Sequence, residues 1–485
     1  MRRDIEGLRN SRFDLLVIGG GINGCAIARD AQLRGAKTAL IEKDDFASGA
    51  SGKTTKLIHG GIRYLEQFNF KLVYEALHER ATLLKTVPHL VKPFEFLIPV
   101  YKDDPRPLLK IKAGIFLYDK LAGKHVICRH RDFGKDDLAV LEPNIAQHNL
   151  RGGVAYFDAQ VDDVRLCLEN AISAYRAGCS VANKLEVVGF VKEKGALCGV
   201  YAQDKLSGEK FTIHASVVVN VTGAWSNGLL KIDEPAAPEI VRPTKGIHLV
   251  YRRLPHTRAI LLSAHKDKRI FFIIPWRDFS LIGTTDTDYS GSCDEVYAAK
   301  DEVEYLLKET RRIFPNENID GGGIITTYAG LRPLVNTQGM PASQVSREHL
   351  IRESSSGLIS VAGGKYTTYR HLAEQTVDVA LSKLKERGFK KCVTGEIGPY
   401  EAALAENKTD LAIITRHAVK EEMANTLNDL LVRRLELFMT PSHGLERIEE
   451  YAGIMAGLLG WNNARKESEI RIYQDEIRNN AGRSL

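Results

Sequence analysis

The sequence predicts an α/β protein in which a β-α-β unit opens the chain, an antiparallel sheet flanks it, and a helical segment closes it. Three observations predict this class. An apolar, β-rich run from Phe13 to Ile18 ends in Gly19, Gly20 and Gly21 and gives way to a helical pattern. Residues 241–290 alternate strand-like segments with turns. Beyond about residue 395, apolar residues recur at helical intervals.

Taken in order, FDLLVI (Phe13 to Ile18) is the first strand, Ala26 to Leu33 the helix, and Lys37 to Ile41 a second strand ending at Glu42. Leu72 to Leu84 reads as a helix. Pro88, Pro93, Pro99, Pro105 and Pro107 are then expected to break the chain into short extended pieces as it leaves the first domain. Asp163 to Ala177 is a helix before Gly178, and SVVVNV (Ser216 to Val221) is a buried strand running into Thr222-Gly223-Ala224-Trp225. That pattern suits a return to a parallel sheet. Gly246 to Tyr251 and Arg269 to Pro275 belong to the antiparallel sheet, which is placed to roof a site. Leu427, Leu430, Leu431, Leu435 and Phe438 fall on one face of a C-terminal helical bundle.

With 485 residues and 44% hydrophobic content, the chain has material for two or three domains, and disorder is excluded. A formal charge of +6 and a pI of about 8.7 suit an anionic substrate or an anionic membrane surface. The Lys and Arg residues are scattered, so no nucleic acid partner is expected. Seven cysteines without a CxxC pair point to reduced thiols rather than a disulfide framework or zinc site. MRRDIEGLRN lacks the apolar core of a signal peptide, and no run reaches the roughly 18 apolar residues of a membrane span. The expected location is cytoplasmic, with any membrane contact peripheral and on the inner face.

Gly19, Gly21 and Gly24 form G-x-G-x-x-G between strand and helix, where helix N-terminal amides face a diphosphate. Glu42, at the end of the next strand, can accept from ribose hydroxyls. NAD and FAD share this fingerprint. A small-residue loop through Ser48, Gly49, Ser51, Gly52, Thr54 and Thr55 can pass close to a flavin's pyrophosphate and ribityl chain. For Ser48 and Thr55, local turn capping competes with cofactor contact.

The run TTKLIHGGIRYLE (Thr54 to Glu66), carrying Leu57 and His59, closely resembles FAD-dependent glycerol-3-phosphate dehydrogenases. Further matches follow in the family's order: FLYDKLAG (Phe116 to Gly123), YFDAQVDDVRL (Tyr156 to Leu166), VTGAWS (Val221 to Ser226, with Gly223), KGIHLV (Lys245 to Val250), IPWRDFSLIGTTDTDY (Ile274 to Tyr289), AGLRPL (Ala329 to Leu334), SREH (Ser346 to His349) and GGKYTTYR (Gly363 to Arg370). The resemblance spans about residues 13 to 375. It implies a glutathione-reductase-like FAD-binding domain, an antiparallel-sheet substrate cap and a C-terminal helical domain. The implied boundaries are 1–75 with 151–240 and 340–385 for the FAD domain, 76–150 and 241–339 for the cap, and 390–485 for the helical domain. It also implies a peripheral membrane enzyme that oxidises sn-glycerol 3-phosphate and passes electrons to a quinone. A homodimer is compatible with the sequence. No EF-hand pattern or C-terminal Cys cluster is present, so no metal is expected.

The resemblance implies phosphate binding by Arg332 and Arg347, whose guanidinium groups suit a dianion. It places Arg63, Tyr64 and Lys365 at other active-site positions, where they can donate to substrate oxygens. His59 and His248 are candidate acid-base groups because imidazole titrates near neutrality. His59 is favoured for flavin contact or positioning, and His248 for accepting the hydroxyl proton. Asp286 can orient a histidine, bind a substrate hydroxyl or cap a turn. Gly363 and Gly364 look like a close backbone approach to a flavin ring, with Thr367 and Thr368 opening a helix beyond it. The neighbouring readings are a glycerol-3-phosphate oxidase, which uses oxygen, an FAD amine oxidase, and a non-catalytic dinucleotide-binding protein.

Overall fold

The computed structural model describes residues 1–337, 348–384, 388–400 and 410–482. Two sheets organise them. In the first, Ile359–Gly363, Lys210–Asn220, Arg12–Ile18, Thr38–Ile41 and Ser180–Ala182 lie side by side and parallel. Leu15 and Val17 pack to one side of this sheet and Leu16 and Ile18 to the other. A strand covered on both faces has no use for polar alternation, which is why FDLLVI is continuously apolar. Helices Ile22–Leu33, Asp163–Arg176 and Tyr369–Ser382 cover one face.

The second sheet is mostly antiparallel and runs through Val241–Arg252, Phe279–Gly283, Ile270–Trp276, Ala259–Ser263, Val91–Tyr101 and Leu150–Val161. Its single parallel junction joins Ala259–Ser263 to Val91–Tyr101, and Ile324–Val335 pairs with Val241–Arg252. One face packs on helix Lys300–Ile313 through Leu306, Leu307 and Ile313. The other shares a core with the C-terminal helices, where Phe96, Tyr156 and Ile274 meet Leu427, Leu430, Leu431 and Tyr473. Strands Leu57–Ile58 and Leu150–Val161 pair with each other in this second sheet, and Leu150–Val161 also pairs with Val91–Tyr101.

Two local expectations need correction. The proline-rich stretch is not a set of short pieces: Pro93 and Pro99 lie inside one strand, Val91–Tyr101. That strand is paired on its second side only at Phe96 and Leu97. The prolines therefore fall where a missing donor goes unused on the open side. The leucine-rich run is likewise not a regular α-helix. Asp429–Arg434 forms a π-turn, Glu436 takes a left-handed φ of 52°, and Leu437–Met439 is a 3-10 turn. The wider turn lets consecutive Arg433 and Arg434 both reach Asp45, at 2.5 and 2.8 Å.

This ionic cluster fastens the C-terminal segment to the first sheet. Glu422, on the same segment, pairs with Arg165 of helix Asp163–Arg176. Burial opposes ionisation of Glu422, yet the Arg165 guanidinium outweighs it and holds the carboxyl at about 2 against an ordinary 4.5. Burial of Asp45 is outweighed in the same way by Arg434 and Arg433, which lower its carboxyl. A lowered folded-state value means stability that is complete above the unfolded value and lost as pH falls through the folded one. The urea midpoint should therefore drop as pH falls from 4.5 towards about 2. At pH 7, Asp45→Asn should cost about 3 kcal/mol or more, since it strips a buried cationic pair of its counter-charge. Unchanged urea unfolding of the variant would contradict this account of the clamp.

Candidate active site

A cavity of about 440 Å³ runs from the glycine turn of the first sheet to the inner face of the second. At its first end, strand Arg12–Ile18 meets helix Ile22–Leu33 through Gly19, which adopts a φ of 117°. A Cβ on Gly24 would lie 1.8 Å from the Gly19 carbonyl oxygen, so this helix can pack against the turn only with glycine there. Gly24 serves the packing and does not line the cavity, whereas Gly19, Gly21, Ile22 and Asn23 do. The Ser51 hydroxyl accepts from the Ile22 amide at 2.9 Å. Glu42 accepts from the amides of Gly20 and Asp44 at 2.6 and 2.8 Å, and burial pushes its carboxyl up to about 7. The helix N-terminus, a turn with no side chains in the way and a cavity-lining carboxylate together fit an adenosine diphosphate.

The loop from Ser48 to Thr55 follows the cavity wall, with Ser48, Gly49, Ser51, Thr54, Thr55, Leu57 and His59 all lining it. The Thr54 hydroxyl donates to Asp163 at 2.7 Å, so it anchors the loop. His59 is held by its backbone: its N–H donates to Thr367 Oγ1 at 3.1 Å, and that hydroxyl donates to the His59 carbonyl at 3.1 Å. Gly223, Gly364, Lys365 and Thr367 close the same wall from the ends of the parallel strands. Thr367 sits in a 3-10 turn, Tyr366–Thr368, that leads into helix Tyr369–Ser382.

The far end is built by the second sheet. His248 and Arg332 come from adjacent strands, Val241–Arg252 and Ile324–Val335. His248 Nε2 shares a hydrogen bond of 2.9 Å with Thr55 Oγ1, and its ring stacks on Tyr328 at 4.9 Å. Burial first, then the charges of Arg332 and Lys56, lower the imidazole to about 3, so it is neutral at pH 7. Asp286 does not orient this histidine. Its carboxylate accepts from Arg332 Nη1 at 3.1 Å, while Thr284 Oγ1 accepts from Nη2 at 2.7 Å, and these contacts fix the guanidinium. Arg63 and Tyr64 line the cavity, and the Lys365 ammonium lies 3.9 Å from the Tyr64 ring centroid. Arg347 falls outside the described residues.

Several lining residues escape sequence reasoning. Leu185, Glu186 and Val187 join the glycine-turn end from a strand with no motif to mark it. Trp225 was visible within VTGAWS, and its indole N–H donates to Asp294 at 2.9 Å. Arg269, at the head of strand Ile270–Trp276, also lines the cavity. A single Arg before an apolar strand is the only signal that pointed to it.

Known proteins agree with this plan. Residues 14–370 match the family described as FAD dependent oxidoreductase, and residues 367–466 match the C-terminal domain of alpha-glycerophosphate oxidase. A glycerol-3-phosphate dehydrogenase of Synechocystis sp. is 36% identical over 99% of this chain and 98% of its own length. The chain belongs to the glycerol-3-phosphate dehydrogenases of the FAD dependent oxidoreductase family. An aerobic glycerol-3-phosphate dehydrogenase of Staphylococcus aureus is also 36% identical to this dehydrogenase, covering 97% of the chain and 95% of the relative. A solved glycerol-3-phosphate dehydrogenase from Bacillus halodurans, complexed with FAD, superposes with a TM-score of 0.82 at 28% identity, covering 98% and 97% of the two chains. A glycine oxidase from Bacillus cereus, at 20% identity and a TM-score of 0.57, shares the fold. FAD is thus the cofactor of the dehydrogenase, and the cavity's glycine-turn end suits its adenosine diphosphate half.

On the side of Gly283 the packing against His248 is tight. A Cβ on Gly283 would sit 2.3 Å from His248 Cδ2 and 2.9 Å from Nε2. Gly283→Ala should displace the imidazole and break its bond to Thr55, lowering turnover about a hundredfold while flavin content is retained. Flavin absorbance and steady-state rates of the purified variant check this, and wild-type turnover would count against a fixed His248.

Proposed function

We propose that this chain oxidises sn-glycerol 3-phosphate to dihydroxyacetone phosphate and delivers the electrons to a quinone. What carries the reading is one continuous cavity that joins the glycine turn to a cation-rich end holding Arg332, Arg63 and Lys365 beside a neutral imidazole. When bound, FAD supplies N5 as the hydride acceptor. The N-terminal amides of helix Ile22–Leu33 would hold its diphosphate and Glu42 its ribose, with Gly364 and Lys365 lining the cavity where its ring would lie. Lys365 would balance negative charge there.

The chain's own groups then divide the work. Arg332, braced by Asp286 and Thr284, binds the substrate phosphate and positions its C2 hydroxyl. His248 accepts the hydroxyl proton. Burial, then Arg332 and Lys56, leave its neutral ring a weak base in the free enzyme, and a dianion resting on Arg332 would offset one of the charges that depress it. The base therefore strengthens when substrate arrives. Arg332→Ala should raise KM for glycerol 3-phosphate by about ten- to a hundredfold, and glycerol should be a poor substrate of the wild type. His248→Asn should slow flavin reduction in single-turnover mixing by about a hundredfold with flavin content intact. Equal use of glycerol and glycerol 3-phosphate by the wild type would remove the phosphate site from the proposal. Peroxide release in air, in place of quinone reduction, would favour an oxidase.

For the acceptor, we propose peripheral contact with an anionic membrane. No helix among the described residues is long and apolar enough to cross one. Helices Phe70–Thr86 and Leu108–Ala122 pack together, and around them Phe68, Leu109 and Phe116 are 78%, 79% and 54% exposed. Lys110, Lys120 and Lys124 are exposed beside them. Apolar side chains ringed by lysines suit a negatively charged lipid surface. The double variant Leu109→Glu, Phe116→Glu should lose co-sedimentation with vesicles rich in anionic phospholipid while keeping activity with a soluble dye. Undiminished vesicle binding would exclude this face.

A further inference from the structure

We infer that Arg269 is a second substrate-recognition guanidinium, forming with Arg332 a two-point clamp for the phosphate; the inference rests on the function proposed above. Arg269 lines the same cavity as Arg332, and one residue braces both. The carboxylate of Asp286 accepts from Arg332 Nη1 at 3.1 Å, and the main-chain oxygen of Asp286 accepts from Arg269 Nη1. The two guanidinium groups therefore flank a single position on the cavity wall.

Arg269 is held from its other edge as well. Its Nε lies 3.2 Å from Asp267 Oδ2. Asp267 is itself fixed, accepting from the Tyr305 hydroxyl at 3.0 Å and from the Arg269 amide at 3.2 Å. Nη1 and Nε are thus committed to the protein, whereas Nη2 makes no hydrogen bond to a described residue. A guanidinium immobilised on two edges, with a third nitrogen left over beside a cavity, is organised to receive an anion.

Stability alone gives a poor reason for this arrangement. The Arg269 and Asp267 side chains are each 31% exposed, and ion pairs so open to water contribute little to folding. The cavity chemistry points the same way: Arg269 lines the cavity together with Arg63, Arg332, Lys365 and Asp286. Planar guanidinium groups suit a phosphate dianion through paired N–H donors. Arg269 would then set the preference for a phosphorylated alcohol over the free polyol.

The test uses flavin-loaded wild type, Arg269→Met and Arg269→Lys, with Asp267→Ala as a variant that only loosens the brace. KM for glycerol 3-phosphate, inhibition by inorganic phosphate and calorimetric binding of dihydroxyacetone phosphate are measured, with oxidation of glycerol as the unphosphorylated control. In Arg269→Met, KM and the inhibition and dissociation constants should rise about ten- to a hundredfold, with kcat within a few-fold and a far smaller effect on glycerol oxidation than on that of glycerol 3-phosphate. Arg269→Lys should recover part of the loss, and Asp267→Ala should shift the same constants by less. Unchanged phosphate inhibition and KM in Arg269→Met would overturn the inference. So would a parallel loss of glycerol and glycerol 3-phosphate oxidation accompanied by lost flavin, which marks a structural role. A wild type that does not prefer glycerol 3-phosphate to glycerol would instead refute the function on which the clamp rests.

Discussion

Asp163, buried at the head of its helix, holds the loop on which both ends of the site depend. Its carboxylate accepts from the Thr54 hydroxyl at 2.7 Å and from the Lys56 ammonium at 2.6 Å. Lys56 continues to Glu436 of the C-terminal segment at 2.9 Å. The Tyr328 hydroxyl donates to the Thr54 carbonyl at 2.9 Å, and Thr55 bonds His248. One carboxylate thereby connects the parallel sheet, the second sheet and the C-terminal helices. Such buried charges are costly unless fully paired, which makes their geometry all-or-none. That suits a loop whose task is to keep cofactor and substrate groups in register.

The same low-dielectric interior explains how the site separates its charges. His248 and Arg332 stand on neighbouring strands, yet one is neutral and the other cationic at pH 7. Burial disfavours the imidazolium, and the adjacent guanidinium disfavours it further. Arg332, whose side chain is cationic as arginine always is in proteins, pairs with Asp286 at 3.1 Å. A neutral imidazole beside a paired guanidinium is the division of charge that the proposed alcohol oxidation requires. Neither property belongs to the residue types alone.

Where the chain departs from simple pattern reading, neighbouring elements supply the reason. Pro93 and Pro99 are tolerated within a strand because its second partner touches only Phe96 and Leu97. The C-terminal leucines are all near the core, but the turn that carries them widens so that Arg433 and Arg434 both face Asp45. Periodicity reports which residues are buried. It is silent on which buried charge they must reach, and here that charge is nearly 390 residues away in sequence.

The nucleotide end of the cavity is legible in the residues alone. Gly19, Gly21, Gly24 and Glu42 are close in the chain, and their function is written in backbone geometry that only such residues allow. The sequence also marked Arg63, His248, Asp286, Arg332 and Lys365 through ordered motifs. How they are partnered follows from the packing of distant segments. Asp286 serves Arg332 and not the histidine, Thr54 lines the cavity while its hydroxyl is tied to Asp163, and Arg269 joins the wall from a strand that carried no functional mark. Those outcomes depend on contacts between segments far apart in the chain, and on burial that shifts a proton affinity. Neither is encoded in local spacing, because a side chain's partner and its dielectric surroundings exist only once the two sheets have packed together.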